Sequence, residues 1–312
     1  MTRRNTPESS HLSPRLRAWL EAGHYLQHGR HRLFYRAAGH GAPLLLLHAY
    51  PSAGWGWHRM WDALARERLV IAPDLFGSGF SAKPVPGPYS IAELADQCEA
   101  VLAELGVSEV DVLAHAYGVS PAQELLARSV APGACPTARV RSVAFLNGAI
   151  FPAEAETTAM QRLLIGPLGP MIARLAPQPY TLFRRNLAHA FGPDTPADEA
   201  TLADLWQLLR FNEGHRATPW VMQYLRDRLA CADRLVTAIT QTRIPRLLIH
   251  APGDPIVGER MREQWQARIP EADIADLGRR LGHYPPLEAP QAVLEAFNGF
   301  QRRLKADRHT GN

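Results

Sequence analysis

A tight turn centred on Ala116 is the first place where the sequence could carry chemistry. The turn follows the apolar run 109–115 and precedes a helix-forming segment, 119–128. Small residues two positions before and after the centre, Ala114 and Gly118, permit a sharp strand-to-helix bend that exposes the central side chain. The N-terminus of the following helix favours an anionic nucleophile at that point. The central residue is alanine, so the sequence predicts a nucleophile position that holds no nucleophile.

An acid and a base follow later in the chain. Asp254 lies in the segment HAPGDPIV, directly after an apolar run, and His283 lies in LGHYPPLE, before the last helix-forming segment. A carboxylate that accepts a hydrogen bond from a histidine fixes the tautomer of the ring and stabilises its imidazolium form. His283 would then activate a water molecule. The chain order of turn, acid and histidine is typical of hydrolytic triads built on a parallel sheet.

Residues 48–51, HAYP, end another apolar run. A strand followed at once by a tight turn can aim a backbone N–H at the centre of the first turn. We therefore predict that the N–H groups of Tyr50 and Tyr117 form an oxyanion hole. His48 and His115 end their runs at the same predicted edge of the sheet and are candidate substrate contacts. For His48 the alternative is a histidine that packs in the core.

The apolar pattern of the chain predicts a mainly parallel sheet that would position these residues. Five short runs are typical of strands buried on both faces: 43–48, 68–73, 109–115, 140–147 and 244–250. Strands near 32–36 and 272–277 complete the two ends. Helix-forming segments separate most of the runs, and the clearest, 90–105, begins with a capping box formed by Ser90 and Glu93. This alternation favours an α/β fold with helices on both faces of the sheet.

The alternation breaks between residues 151 and 238, where helical periods interrupted by prolines replace the strands. We predict that residues 151–238 form a helical cap inserted into a core made of residues 1–150 and 239–312. Four aromatic residues of this region are candidate substrate contacts: Phe151, Trp206, Trp220 and Tyr224. Their alternative role is to pack the cap.

The composition excludes several classes of protein. Apolar residues make up 46% of the 312 residues and charged residues 21%, a balance typical of globular rather than disordered chains. The net charge of +4 is spread along the chain, which argues against nucleic-acid binding. No apolar run reaches the roughly 18–20 residues of a membrane span, and the N-terminal segment lacks the apolar stretch of a secretory signal. We expect a cytoplasmic protein that acts on a small hydrophobic substrate, with its oligomeric state left open.

Neither a metal site nor a cofactor is predicted. The three cysteines, Cys98, Cys135 and Cys231, match no zinc spacing and no disulfide framework, so we expect reduced thiols. The segment 74–81, DLFGSGFS, lacks the third glycine and the acidic residue of a dinucleotide site. We interpret it as a loop that shapes the rim of the site.

With these residues in place, the chain resembles the α/β-hydrolase superfamily and, within it, the branch of epoxide hydrolases and haloalkane dehalogenases. It looks most like the mesoderm-specific transcript proteins. The resemblance runs from about Leu12 to Phe300 and rests on separate blocks in register, among them LSPRLRAWLEAG, LLLLHAYP, DLFGSGFSAKP, LAHAYGVSPAQELL, LNGAIFP, QYLRDR, APGDPIV and GHYPPLEAP. It implies an α/β-hydrolase fold with an inserted helical cap.

The resemblance implies an aspartate nucleophile at position 116, with Asp254 as the acid and His283 as the base. In the mechanism of that family, the aspartate opens an epoxide or displaces a halide and forms an alkyl ester, which water activated by the histidine then cleaves. Asn147 stands where some dehalogenases carry the acid and is a candidate contact to substrate or to His283. Ala116 leaves two hypotheses. The chain is an inactivated form of such a hydrolase, which we favour because the supporting residues remain, or it is a natural ligand-binding pseudoenzyme.

The predicted substrate is an epoxide or a similarly strained electrophile. Dehalogenases of this branch offer an indole N–H or an asparagine amide to the halide, but Tyr117 and Ala49 stand at those positions. Epoxide hydrolases use cap tyrosines to protonate the epoxide oxygen. Tyr224 occupies a comparable place. Tyr180 is a second candidate, but its placement agrees poorly, and for it we favour a cap residue whose hydroxyl lies in water. A haloalkane dehalogenase or a lactone-processing enzyme of the same branch is the alternative.

Overall fold

The central sheet is seen in a computed structural model that describes residues 11–131, 133, 136–151, 159–175 and 178–310. Within these ranges eight strands form one sheet: β1 His24–His28, β2 His31–Ala38, β3 Ala42–Leu47, β4 Arg68–Pro73, β5 Glu109–His115, β6 Arg139–Leu146, β7 Arg246–His250 and β8 Asp273–Asp276. Their order across the sheet is β1-β2-β4-β3-β5-β6-β7-β8. Strand β2 is antiparallel to both of its neighbours, and every other pair is parallel. The predicted mainly parallel sheet is confirmed.

Helices cover both faces of this sheet. In chain order they are α1 Pro14–Glu21, α2 His58–Ala65, α3 Ile91–Glu104, α4 Val119–Val130, α5 Ala159–Ile165, α6 Gly169–Leu175, α7 Tyr180–Ala188, α8 Glu199–Arg210, α9 Thr218–Val221, α10 Tyr224–Ala230, α11 Ala232–Gln241, α12 Gly258–Arg268, α13 Pro285–Glu288 and α14 Pro290–Thr310. Successive side chains of a strand point to opposite faces. In β3, Leu45 and Leu47 pack in the apolar layer with α3, α4 and α12, while Leu44 and Leu46 pack with α1, α2 and α14.

The two elements with the clearest sequence signals form as predicted. Helix α3 begins after Ser90, whose hydroxyl accepts a hydrogen bond from the N–H of Glu93, while the Glu93 carboxylate accepts one from the N–H of Ser90. The reciprocal cap satisfies backbone donors that a helix start leaves unpaired. Strand β5 covers the predicted residues 109–115 and delivers the chain to the turn at Ala116.

A helical insertion separates β6 from β7. The described residues between these strands form helices α5–α11 and no strand. The helical pattern near residues 160–175 forms two helices, α5 and α6, divided around Gly166 and Pro167, because proline restricts the residue before it and removes a backbone donor. The assignment of 151–238 as a separate cap domain stays a prediction.

Two further features concern the helices and the cysteines. Every helix in the described ranges is too short or too polar to span a membrane. Cys98 is a buried free thiol and Cys231 a half-buried one. Cys135 lies outside the described residues.

Candidate active site

The turn after β5 has the geometry that a nucleophile position requires. Ala116 has a φ of 49°, in the left-handed region that most side chains avoid. A Cβ atom at Gly118 would lie 2.6 Å from the backbone carbonyl carbon of Leu47, so only glycine fits there. The Gly118 N–H also donates a hydrogen bond of 3.0 Å to the carbonyl oxygen of His48. The turn is thereby fixed against the end of β3, and it presents the Cβ of Ala116 to a cavity.

The predicted acid and base lie together on the loops that follow β7 and β8. The Nδ1 atom of His283 donates to Oδ2 of Asp254 at 2.8 Å. The other carboxylate oxygen, Oδ1, accepts from the N–H groups of Ile256 at 2.8 Å and Val257 at 3.4 Å. Burial raises the pKa of Asp254, but His283 and these N–H groups together bring that pKa below its ordinary value. The carboxylate is therefore ionised, and Nε2 of His283 is the ring nitrogen that can take a proton from water.

A cavity of about 360 Å³ lies between the sheet edge and the inserted helices, and both Ala116 and His283 line it. Its wall also carries Tyr50 and Tyr117, whose backbone N–H groups are the predicted oxyanion donors. Much of the remaining wall is apolar and includes Leu164, Phe183, Leu187, Met222, Leu225 and Ile256. Such a wall favours an apolar ligand.

Tyr224 lies where the sequence placed a proton donor. Its side chain lines the cavity, and its ring contacts the ring of Tyr117 edge-on, with centroids 4.8 Å apart. Burial raises the pKa of Tyr224, so the phenol stays protonated near neutral pH. Tyr180, the second candidate donor, lies outside the cavity wall and packs against Trp206 at a centroid distance of 5.7 Å.

Asn147 lines the cavity and joins two of the loops that surround it. Its Nδ2 donates to the carbonyl oxygen of Gly282 at 2.9 Å, and its Oδ1 accepts from the N–H of Ala251 at 2.9 Å. Gly282 precedes the base, and Ala251 opens the loop that carries the acid Asp254. Asn147 therefore fixes the acid loop relative to the base loop, and these two hydrogen bonds go to backbone groups rather than to the His283 ring.

The structure places His48 and His115 outside the cavity wall, so the prediction that they contact substrate is corrected. The Nδ1 atom of His48 donates to the carbonyl oxygen of Ala49 at 2.8 Å, and its Nε2 accepts from the N–H of Leu75 at 3.0 Å. His115 donates through Nε2 to the carbonyl oxygen of His283 at 2.7 Å. Both rings are buried and connect loops through hydrogen bonds to backbone groups. The bond from His115 helps to position His283, the base.

Three aromatic residues also lie outside the wall. Phe151 is buried in the core, where the guanidinium of Arg268 stacks 5.0 Å from its ring centroid. Trp206 packs against Phe183 at 5.0 Å. Trp220 lines a separate surface groove. Their predicted substrate contact is corrected, because Phe151 and Trp206 pack against protein and Trp220 lines a different groove.

The buried histidines give the stability of the fold a definite pH dependence. Burial lowers the pKa of His48 to about 4 and that of His115 to about 3, from an ordinary 6.5. Unfolding releases both rings to take up protons below pH 6.5, so their contribution is present above that pH and lost as the pH falls. Burial raises the pKa of Asp74 to about 6, which opposes the trend with one proton.

Burial also lowers the pKa of His58 to about 4, which adds a third such proton. Three protons on the histidines against one on Asp74 leave a net uptake of about two protons on unfolding near pH 5. We therefore expect the free energy of unfolding to fall by roughly 2.7 kcal/mol per pH unit there. Urea titrations between about pH 4.5 and 6.5 measure this slope. A free energy of unfolding that stays constant over this range would contradict the neutral state of the three rings.

Glu288, which the sequence analysis did not single out, holds the base loop to the inserted helices. Its Oε2 accepts from the N–H groups of Gly192 and Gly282, both at 2.8 Å, and from the hydroxyl of Thr195 at 2.6 Å. Its Oε1 accepts from the N–H of Tyr284 at 2.8 Å. One carboxylate thus joins the segment after α7 to the residues on either side of His283.

Arg228 is a second residue of the site that was not predicted from the sequence. It lies on α10, it is 5% exposed, and its side chain lines the cavity. The sequence QYLRDR alternates charges and is typical of a solvated helix face, so no sequence signal marked it.

Comparisons with known proteins agree with this geometry. A family model for the alpha/beta hydrolase fold matches residues 42–283. The mesoderm-specific transcript protein of Mus musculus is 34% identical over 299 residues, which cover 93% of this chain and 88% of that protein. The soluble epoxide hydrolase of Corynebacterium sp. (strain C12) is 26% identical over 294 residues, covering 88% and 95%.

Solved structures show the same fold. Haloalkane dehalogenase DbeA from Bradyrhizobium elkani USDA94 superposes with a TM-score of 0.76 at 22% identity, covering 91% of this chain and 99% of that one. Epoxide hydrolase CorEH gives a TM-score of 0.69 at 23% identity, covering 90% and 99%. The chain therefore belongs to the α/β-hydrolase fold family, and within it to the group of the mesoderm-specific transcript proteins.

Proposed function

We propose that this chain is an epoxide-type hydrolase built for an aspartyl-ester mechanism, in a form that Ala116 leaves without its covalent step. The observation that supports this most directly is that Ala116 and His283 line one cavity while Asp254 binds His283 from behind. The similarity to a protein named soluble epoxide hydrolase supports the reaction class.

With a carboxylate at position 116, the described residues would support both half-reactions. The carboxylate attacks an epoxide carbon, the carbon–oxygen bond breaks, and Tyr224 donates its proton to the departing oxygen. His283 then takes a proton from water, and the resulting hydroxide attacks the acyl carbon of the ester. The N–H groups of Tyr50 and Tyr117 stabilise the tetrahedral oxyanion, and Asp254 stabilises the imidazolium. The tetrahedral intermediate collapses, its alkoxide leaving group takes the proton from the His283 imidazolium, and the diol leaves. The proton of the carboxylic acid formed at position 116 returns to the Tyr224 phenolate, so both the carboxylate and the phenol are regenerated.

Two features of the wall favour an epoxide over a halide. The described part of the wall holds no tryptophan to offer an indole N–H to a halide. Tyr224 instead provides a protonated phenol, which an epoxide oxygen needs. The apolar wall supports a small hydrophobic substrate. A cytoplasmic location stays a prediction from the composition.

The test is the Ala116→Asp variant, assayed with styrene oxide, 1-chlorohexane and δ-valerolactone. Diol formation from the epoxide supports the proposal. Chloride release from 1-chlorohexane would favour the dehalogenase alternative, and faster opening of the lactone than of the epoxide would favour a lactone-processing enzyme. A folded variant that turns over none of the three contradicts the proposal and favours a natural ligand-binding pseudoenzyme.

Tyr224→Phe, introduced beside Ala116→Asp, should slow epoxide opening by ~10²-fold or more, because the leaving oxygen loses its proton donor. Hydrolysis of the preformed ester should not change, since that step uses His283. Stopped-flow measurement of single turnovers separates the two steps. Tyr180→Phe is the matched control, because Tyr180 lies on the inserted helices but outside the cavity. Equal opening rates in the two variants would remove Tyr224 from the mechanism.

A further inference from the structure

A guanidinium group is buried on the cavity wall without a carboxylate partner. Arg228 is 5% exposed, and its Nη1 donates to the carbonyl oxygen of Ala149 at a long 3.3 Å. Its Nε is buried and makes no hydrogen bond. Among the described residues, no Asp or Glu forms an ion pair with it. Buried charges in proteins are normally paired, so this cation is left with unused hydrogen-bonding capacity.

The surroundings of Arg228 give its charge no other use within the protein. Within the described ranges the cavity wall carries no Asp or Glu, and the imidazole of His283 is hydrogen-bonded to Asp254 through Nδ1. The near neighbour of Arg228 is Tyr224, one helical turn earlier, whose ring centroid is 5.9 Å from the guanidinium carbon. The amides of Gln178 and Asn186 also line this cavity.

We propose that Arg228 binds a carboxylate of the substrate, so that the cavity accepts an amphipathic acid. The identity of the reacting group of that acid depends on the proposed function, but the binding of its carboxylate to Arg228 does not. The two Nη groups of a guanidinium present donors in the planar arrangement that matches the two oxygens of a carboxylate, and in Arg228 these groups, unlike Nε, are not among the fully buried unpaired atoms. A phosphate monoester carries about two charges near neutral pH, and the described wall offers a single arginine to neutralise them.

The arrangement of rings places the acid group away from the reacting atoms. Tyr117 follows Ala116 directly, its ring contacts Tyr224 at 4.8 Å, and Tyr224 lies 5.9 Å from the guanidinium carbon. Two aromatic contacts therefore separate the turn from Arg228. The substrate should carry its carboxylate several bonds from the electrophilic carbon, with an apolar chain or ring between them against Leu187 and Met222.

Isothermal titration of the chain as it stands, with octanoate and with 1-octanol, tests the acid group alone. Octanoate should bind more tightly than the alcohol of equal length. Arg228→Gln should weaken octanoate binding by roughly 10- to 100-fold and leave 1-octanol binding unchanged, because only the charge-assisted hydrogen bonds are lost. Arg228→Lys should restore part of the octanoate affinity. Arg226→Gln is the matched control, since Arg226 is an exposed arginine of the same helix outside this cavity.

Three outcomes would overturn the proposal: octanoate that does not bind, octanoate that binds no better than 1-octanol, or equal octanoate affinities for Arg228→Gln and Arg226→Gln. Retained 1-octanol binding shows that the Gln variant is folded. The measurement needs no turnover, so it separates two failures. If Ala116→Asp hydrolyses nothing while octanoate binds through Arg228, the reaction is wrong and the acid site stands. If Ala116→Asp turns over epoxides but octanoate shows no dependence on Arg228, the reaction stands and the acid site is wrong.

Discussion

Replacing Ala116 with aspartate should raise the rate of epoxide hydrolysis by on the order of 10⁴-fold or more over the present chain. Removing a covalent nucleophile from a site that is otherwise complete leaves only binding and electrostatic stabilisation, which account for a small part of the rate. Asp254 already binds His283, and His283 and Tyr224 line the same cavity as Ala116. Restoring the carboxylate therefore restores the step on which the others depend.

The turn can accept this substitution. Aspartate and asparagine tolerate left-handed φ values better than most residues, and Ala116 has a φ of 49°. Ala116 lines the cavity, so there is open space next to this position for a carboxylate. Ala116→Asn is the matched control, because it has the same shape without the nucleophilic charge. The measurement is kcat/KM for diol formation. Equal values for the Asp and Asn variants, both folded, would contradict the aspartyl-ester mechanism.

The second large effect is expected from Ala116→Asp combined with His283→Gln. The carboxylate can still open the epoxide, because Tyr224 supplies the proton for that step. The ester cannot be cleaved at a useful rate, because no general base is left to activate water. Steady-state turnover should fall by about 10³-fold or more relative to Ala116→Asp, after a burst of one substrate per site.

Intact-protein mass spectrometry measures this trapped ester directly as an added mass of one substrate molecule. Peptide mapping should place the addition on the segment that contains position 116. The single variant His283→Gln, which keeps Ala116, should acquire no added mass and serves as the control. Unmodified protein together with slow turnover in the double variant would mean that water attacks the substrate directly and that no ester forms.

Much of the fold could be predicted because parallel strands buried on both faces leave continuous apolar runs. Strands β4 and β5 cover the predicted residues 68–73 and 109–115. Strand β1, His24–His28, was missed because it is an edge strand that pairs only with β2 and has polar residues on both faces. Edge strands need no apolar run, so their sequences carry a weaker signal.

The candidate site could be predicted as far as strand ends determine it. Ala116, Asp254 and His283 follow parallel strands, whose carboxyl ends meet at one edge, and the structure brings these residues together. The same argument placed His48 and His115 in the site wrongly. Position at a strand end does not reveal whether a ring nitrogen binds a nearby backbone group, and both of these rings do.

The inserted helices were the least predictable part of the site. Helical spacing shows which residues share an apolar face, but it does not show whether that face covers protein or a cavity. Trp206 and Trp220 therefore read like Tyr224 in the sequence, although only Tyr224 lines the cavity. Arg228 was overlooked for a different reason. Its charged neighbours along the chain are typical of an exposed helix face, so the sequence does not show that its side chain is buried.

Glu288 has a consequence for how ligands come and go. Its carboxylate holds Gly192, beyond α7, and also Gly282 and Tyr284, which flank the base. If the cavity opens to solvent on the α7 side, the hydrogen bonds of Glu288 break. The imidazole of His283 then loses its orientation at the same time. Entry by that route and proton abstraction then exclude each other. His283 is correctly oriented only while the cavity is closed on the α7 side. Closure also keeps bulk water away from the bound ligand.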